Sequence, residues 1–458
     1  VYLAQYYLDC LSQASYMIAD ETTGRAVVVD PRIDVQEYLD DAARRGFTVE
    51  GVINTHLHAD FISGHFEIAR RTGAWIGYGD RAEARFPFRP LADGERISLG
   101  EVVLEVMHTP GHTPESISIV VHERPGDAAP YGVLTGDALF IGDVGRPDLA
   151  ASFGHSPERL APMLYDSVHN RLMGLPDATR LFPGHGAGSA CGKNLSTEKW
   201  STIGEQRLSN YAVQPMDVET FTELVTEGQE AIPAYFVHDA GRNREAREPV
   251  DIDALARPLE PEEFLARRAA GAVVVDSRDQ LAFSAGHLRG SVNIGTEGRF
   301  AETSGMVVEP DREILIVAAE GSERETAMRL ARVGLDRIAG HLARPEASLA
   351  GMADLVERAP RVGAEELRAS LAGPERPVVV DVRGAAERDR EGTVPGAVHI
   401  PLAALPSRAG EIPDDRPVVV HCAGGYRSSV AASYLRSLGR ENVSDLVGGY
   451  GAYRLTAA

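Results

Sequence analysis

Short apolar runs that stop abruptly at a polar turn bearing histidine or aspartate recur through the first half of the chain. Val49-Glu50-Gly51-Val52-Ile53-Asn54 is the first, and it opens into Thr55-His56-Leu57-His58-Ala59-Asp60-Phe61-Ile62-Ser63-Gly64-His65. The run predicts a buried strand, and Phe66 to Arg71 beyond the turn predicts a helix. Ala14 to Pro31 predicts a hairpin around Asp20-Glu21-Thr22-Thr23-Gly24. Val35 to Arg45 predicts an amphipathic helix ending near Gly46. A strand pair spans Ile97 to Met107 and closes in His108-Thr109-Pro110-Gly111-His112. Gly132-Val133-Leu134-Thr135-Gly136 ends in Asp137, and Arg180-Leu181-Phe182-Pro183-Gly184 ends in His185. Four strand ends thus deliver His56, His58 and Asp60, then His112, Asp137 and His185. Loops along one edge of a rigid sheet can bring such groups to one point. Imidazole and carboxylate together suit a transition metal. A solvated loop with chance histidines is the bland alternative for any one of these segments.

Past residue 240 the pattern changes. Gly241-Arg242-Asn243-Arg244-Glu245-Ala246-Arg247-Glu248-Pro249 is polar and charged, which is linker chemistry. An internal repeat follows. Ala272-Val273-Val274-Val275-Asp276-Ser277-Arg278 matches Pro377-Val378-Val379-Val380-Asp381-Val382-Arg383, and Gly290 to Ile294 matches Gly396 to Ile400, at offsets of 105 and 106 residues. Apolar strands alternate with helices such as Pro261–Ala270 and Ala364–Leu371, which predicts parallel sheets. The expected domains are residues 1–240, 258–355 and 361–458, consistent with a length of 458.

The second copy carries Pro417-Val418-Val419-Val420-His421-Cys422-Ala423-Gly424-Gly425-Tyr426-Arg427-Ser428. A buried strand delivers Cys422, Gly424 and Gly425 turn the chain, and a helix starts after Arg427. Consecutive backbone N–H groups at a helix N-terminus form an anion cradle. With Arg427 nearby, that field favours thiolate over thiol, and a thiolate there can accept a sulfur atom and hold it as a persulfide. A cysteine phosphatase loop is the competing reading. The matching strand of the first copy, Glu313 to Ser322, has no cysteine in any register.

Composition narrows the class. The net charge of -21 argues against nucleic acid and anionic membrane surfaces as partners. No apolar stretch approaches the roughly 20 residues of a membrane span. Three cysteines, Cys10, Cys191 and Cys422, make no disulfide framework, so a reducing, cytoplasmic setting is expected.

The ordered set of His56, His58, Asp60, His112, Asp137 and His185 resembles the metallo-β-lactamase superfamily over roughly residues 1–240. The resemblance implies an αββα sandwich. The family pattern usually places a second histidine after the aspartate, where this chain has Phe61, which cannot ligate a metal. His56, His112 and Asp137 remain, the composition of the facial triads of non-haem iron oxygenases. The branch that this resembles is the persulfide dioxygenases, which implies one Fe(II) per chain. It also implies His58, Asp60 and His185 behind the ligands, orienting them. Cys191 is expected near the iron, either relaying sulfane sulfur or simply packing as a small hydrophobe. Arg146 and Lys193 are candidates for binding a substrate's carboxylates, with a structural role the alternative for each.

The tail resembles the rhodanese sulfurtransferases, with residues 361–458 active through Cys422, Arg427, Gly424 and Gly425, and residues 258–355 silent. The fold expected for both is a small α/β domain. The whole resembles multidomain persulfide dioxygenase–sulfurtransferase fusions. That implies oxidation of a thiol persulfide (glutathione, coenzyme A or bacillithiol type) by O2 to sulfite, linked to sulfite and thiosulfate exchange. A homo-oligomer is the expected assembly. A zinc thiolester hydrolase of glyoxalase II type and a non-catalytic sulfur sensor are the alternatives.

Overall fold

In the computed structural model, which describes residues 1–229 and 231–456, the chain divides into two compact units. The first comprises residues 1–232 and 236–250, and the second residues 233–235 and 251–458.

Unit 1 contains two six-stranded sheets. One is ordered β1 (Tyr2–Leu8), β2 (Gln13–Ala19), β3 (Arg25–Val29), β4 (Thr48–Ile53), β5 (Trp75–Gly79) and β6 (Arg89–Leu91). The other runs, from the opposite edge, β7 (Arg96–Ser98), β8 (Val103–His108), β9 (Ile117–His122), β10 (Gly132–Gly136), β11 (Arg180–Pro183) and β12 (Ser201–Thr202). Side chains alternate across each strand, so each sheet has two apolar faces to cover. Val27 and Val29 of β3 meet Leu104, Val106, Ile119 and Leu134 in the layer between the sheets. Ala26 and Val28 point the other way, onto Tyr38 and Ile68 of the helices Gln36–Arg45 and His65–Thr72. Val133 and Leu181 of the second sheet pack on Leu164 and Phe221 of its covering helices. Helix, sheet, sheet, helix is the resulting order of layers.

Two features depart from expectation. The hairpin predicted from Ala14 gains a preceding edge strand, β1, paired antiparallel from Tyr2↔Ala19 to Leu8↔Gln13. Its residues are all only partly buried, with Tyr2, Ala4 and Tyr6 flanking one core layer and Leu3 and Tyr7 the other. The stretch expected to be a linker is also built into unit 1. A helix runs Tyr235–Arg244, and residues 236–250 belong with the first 232. Two of its polar residues face buried partners: Asn243 the carbonyls of His58 and Phe61, and Arg247 the carboxylate of Glu67.

Unit 2 holds two parallel five-stranded sheets of identical order. The first is Pro258–Leu259, Ile338–Leu342, Ile314–Val317, Val273–Asp276, Val292–Asn293; the second is Arg361–Val362, Val443–Leu446, Val418–His421, Val378–Asp381, Val398–His399. The repeat extends to a buried ion pair in each copy. Arg278 forks onto Asp276, and Arg383 onto Asp381, with closest contacts of 2.6 and 2.7 Å. In the strand register Asp276 stands opposite Val317, as Asp381 stands opposite His421. The next residue is Ala318 in the first copy and Cys422 in the second.

Candidate metal centre and sulfur-carrier loop

The loops after β4, β8, β10 and β11 converge at one end of the sandwich. There the structure brings together His56, His112 and Asp137, each buried, with one donor atom apiece all within 4.8 Å of one another. A second set, Asp60, His185 and Cys191, meets the same criterion and is equally buried.

Hydrogen bonds set which atom of each ring faces inward. His112 turns Nδ1 to the Arg146 carbonyl at 3.0 Å, so that nitrogen carries the proton. Its Nε2 then faces Asp137 Oδ2 at 3.6 Å, too long for a hydrogen bond. His56 Nδ1 lies 3.0 Å from the Thr55 hydroxyl, which itself donates to Asp30. Burial, reinforced by neighbouring His58, holds His56 well below the ordinary imidazole value, in the neutral form that binds metal. Burial would push the Asp137 carboxyl up, but His185, with His56 and His112, outweighs it and keeps it well below the usual carboxylate range. Ring nitrogens of two imidazoles and an ionised carboxylate therefore point into one small space. That donor set fits a divalent transition-metal cation.

Behind this set, His185 stands between two carboxylates, Nδ1 2.9 Å from Asp137 Oδ1 and Nε2 2.7 Å from Asp60 Oδ2. Burial favours its neutral form, yet Asp137 and Asp60 together raise it well above the ordinary value. Gly184 makes this approach possible, since a Cβ there would lie 2.4 Å from Asp137 Oδ1. His58 donates through Nε2 to Asp30 at 2.9 Å. Its Nδ1 and the Oδ1 of Asp60 are buried with no hydrogen-bond partner among the described residues. Phe61 is fully buried, its ring centroid 4.3 Å from that of His58. Burial, with Asp60 and Asp137 adding to it, pushes the Cys191 thiol well up, so it is a thiol rather than a thiolate in this setting.

Three groups that sequence reading did not single out hold the loop. Asp30, at a left-handed φ of 50°, receives the Thr55 N–H at 2.7 Å and the His58 ring. Glu115 receives the Leu57 N–H at 2.9 Å. Asn243 is fully buried; it donates to the carbonyls of His58 (2.8 Å) and Phe61 (2.7 Å) and accepts from the Ser63 N–H (3.0 Å). Asp30 ends an apolar run as Asp137 does, which was a usable signal. Nothing local marked Asn243, which lies about 180 residues from its partners in a stretch of linker-like composition.

Arg146 and Lys193, the candidates for binding a substrate's carboxylates, both have partners within the protein. Arg146 is buried and forks onto Asp148 with two contacts of 2.6 Å, and also donates to the Ala190 carbonyl. Lys193 donates through Nζ to the carbonyls of Leu224 and Glu227, at the end of the helix Val218–Thr226.

At the other candidate site, the strand Val418–His421 delivers Cys422 and the helix Tyr426–Ser437 begins four residues later. Cys422 is buried, and its Sγ accepts the Gly425 N–H at 3.1 Å and lies 3.6 Å from the Ser428 hydroxyl. Gly425 has φ 107°, a conformation that a side chain would strain, so the residue type is dictated by the turn. Arg427 forks onto Glu387, its two terminal nitrogens each 2.8 Å from a carboxylate oxygen. The Gly425 N–H points at the sulfur from the loop, and the Arg427–Glu387 pair stands at the start of the helix that follows. Gly424 is open, with nothing within 4 Å of the position a Cβ would take.

Comparison with known proteins agrees with this architecture. The family model described as the metallo-beta-lactamase superfamily matches residues 8–185, and the rhodanese-like domain model matches residues 260–343 and 363–456. A solved metallo-beta-lactamase from Staphylococcus aureus is 31% identical with a TM-score of 0.66, over 74% of this chain and 98% of that one. A cytoplasmic hydroxyacylglutathione hydrolase of Arabidopsis thaliana is 31% identical over 39% of this chain and 66% of its own. A mitochondrial persulfide dioxygenase of Bos taurus is 27% identical over 37% of this chain and 63% of its own. The chain spans about half, 54%, of the length of the beta-lactamase hydrolase-like proteins it matches. Among the described residues no helix is long and apolar enough to cross a membrane. The chain belongs to the metallo-β-lactamase superfamily, its metallo-β-lactamase domain followed by two rhodanese-like domains.

Proposed function

We propose that the chain is a mononuclear Fe(II) persulfide dioxygenase joined to a sulfurtransferase, acting on sulfane sulfur. The observation that carries this reading is the pairing of His56, His112 and Asp137 with Phe61. Two imidazoles and one carboxylate converge, while the position where relatives of the dinuclear type supply a further histidine holds a buried benzene ring. Iron in such a site supplies the activation of O2 toward a bound sulfane sulfur. Overall, one persulfide, one O2 and one water give one thiol, one sulfite and two protons; the terminal sulfur is oxidised and O2 reduced.

The chain's own contributions follow from the geometry. The Arg146 carbonyl and Thr55 fix the two imidazoles with their free nitrogens inward. His185 bridges Asp137 and Asp60 through its two ring nitrogens and orients both carboxylates in a buried space. Cys422 attacks the outer sulfur of thiosulfate, releasing sulfite and keeping the sulfur as a persulfide, or runs the step in reverse. The first rhodanese-like domain, with Ala318 in the register of Cys422, carries no sulfur by this chemistry. Joining both activities in one chain raises the local concentration of sulfite.

The relatives also support a second reading, a zinc thiolester hydrolase, because the hydroxyacylglutathione hydrolase is as similar as the dioxygenase. Oxygen uptake during persulfide turnover separates the two: the dioxygenase consumes O2 and releases sulfite, and the hydrolase does neither and cleaves S-acyl thiols.

A further inference from the structure

The second unit gives the cysteine-free domain a task. Four hydrogen bonds and one packing contact join it to the elements that shape the Cys422 loop. Tyr426, the first helical residue after the loop, donates through its hydroxyl to the Gly295 carbonyl at 2.9 Å. Its ring fills the space beside Gly298, where a Cβ would lie 2.4 to 2.6 Å from ring atoms. One turn on, the Ser429 hydroxyl donates to Asn293 Oδ1 at 2.9 Å, and the Ser433 hydroxyl accepts the Asn293 N–H at 2.9 Å. Arg361, which pairs with buried Asp445, also donates to Gln280 Oε1 at 3.0 Å. That same oxygen lies 3.7 Å from where a Cβ on Gly425 would stand.

The seat is itself rigid. Arg329, largely buried, donates to the carbonyls of Thr296 (2.7 Å) and Gly298 (3.1 Å), clamping the segment that receives Tyr426. Asn293 is anchored by its own amide to the carbonyls of Asp276 and Arg278. The loop it faces is the opposite: Gly424 and Gly425 leave the backbone between Cys422 and Tyr426 permissive. A cradle of N–H groups stabilises a charged sulfur only if those groups are held in place before the charge arrives.

We propose that Tyr426 is a positioning residue, and that the cysteine-free domain serves as the fixed seat that holds the Cys422 loop in its sulfur-binding shape. The inference rests on the sulfurtransferase reading of Cys422. Mutual dependence of Tyr426 and Gly298 is its specific content, because one exists in this form to admit the other.

The experiment uses the full chain and measures sulfur transfer from thiosulfate to cyanide, the lifetime of the Cys422 persulfide by intact-mass spectrometry, and thermal unfolding. Wild-type protein must first gain the mass of one sulfur on Cys422; if it does not, the sulfurtransferase reading fails before the inference is reached. Tyr426→Phe, which removes only the hydroxyl, is expected to lower kcat about five-fold with KM for thiosulfate unchanged, and to shorten the persulfide lifetime. Gly298→Ala is expected to do the same by pushing on the ring. In a Tyr426→Ala background, Gly298→Ala is expected to add nothing further. Wild-type kcat and persulfide lifetime in Tyr426→Phe would overturn the inference. So would a Gly298→Ala effect that is undiminished without the tyrosine.

Discussion

His185 and Asp137 meet at 2.9 Å, Nδ1 to Oδ1, in a space that water does not reach. This contact ties the His185 strand end to the aspartate proposed to hold the metal, and Asp60 on the far side of the ring completes a charge-alternating row. Removing the imidazole leaves two buried carboxylates facing one another. His185→Ala is therefore expected to lower iron content and O2 uptake about 10- to 100-fold, as loss of an orienting partner does elsewhere. Iron analysis of the purified variant checks this.

Phe61 bears on metal count. Its ring lies against His58, whose Nδ1 is buried without a partner among the described residues. Phe61→His adds a ligand beside Asp60 and His185. The expected outcome is more than one metal ion per chain and reduced O2 uptake, measured by elemental analysis and an oxygen electrode.

Asn243 tests whether the stretch after residue 235 belongs to the centre. Asn243→Ala leaves the His58 and Phe61 carbonyls and the Ser63 N–H, all in a buried loop, without their partner. Unmet buried groups cost about 1–3 kcal/mol each. A lower thermal midpoint and weaker metal retention are expected, while sulfur transfer at Cys422 stays unchanged.

How much of this was legible beforehand varied with distance along the chain. His56, His58 and Asp60 sit within five residues, and His112, Asp137 and His185 each end an apolar strand, so local pattern was enough to nominate them. The repeat exposed the two rhodanese-like copies in the same way. Asn243, Tyr426 and Gly298 act only through partners far along the sequence, and no periodicity or turn chemistry reports such a partner. The partners of Arg146, Lys193 and Arg427 were hidden in the same way: a cation beside a site shows its carboxylate or carbonyl partner only in the fold.

Asp381 and Arg383 form a fully buried pair in the second rhodanese-like copy. Burial opposes ionisation of Asp381, but Arg383, His421 and Thr393 outweigh it and hold the carboxyl at about 2. A depressed carboxylate contributes stability above the unfolded value of about 3.9, lost as pH falls from there through about 2. Asp381→Asn strands the guanidinium, with an expected cost of about 3–5 kcal/mol near neutral pH. Its unfolding midpoint should also fall less steeply with acid than that of the wild type, as thermal melts across that window will show.

Cys422→Ser should abolish thiosulfate-to-cyanide transfer and spare O2 uptake, because His56, His112 and Asp137 belong to the first unit and Cys422 to the second. Loss of O2 uptake in this variant would mean that oxygen chemistry depends on the carrier sulfur.

The central claim is that a single redox-active iron occupies the space among His56, His112 and Asp137. The direct measurement is O2 consumption by anaerobically purified, metal-analysed protein on addition of a thiol persulfide, with sulfite quantified in the same vessel. The account predicts one iron per chain and equal amounts of O2 consumed and sulfite released. Two zinc ions per chain, or no O2 uptake by iron-loaded protein across glutathione, coenzyme A and bacillithiol persulfides, would contradict it.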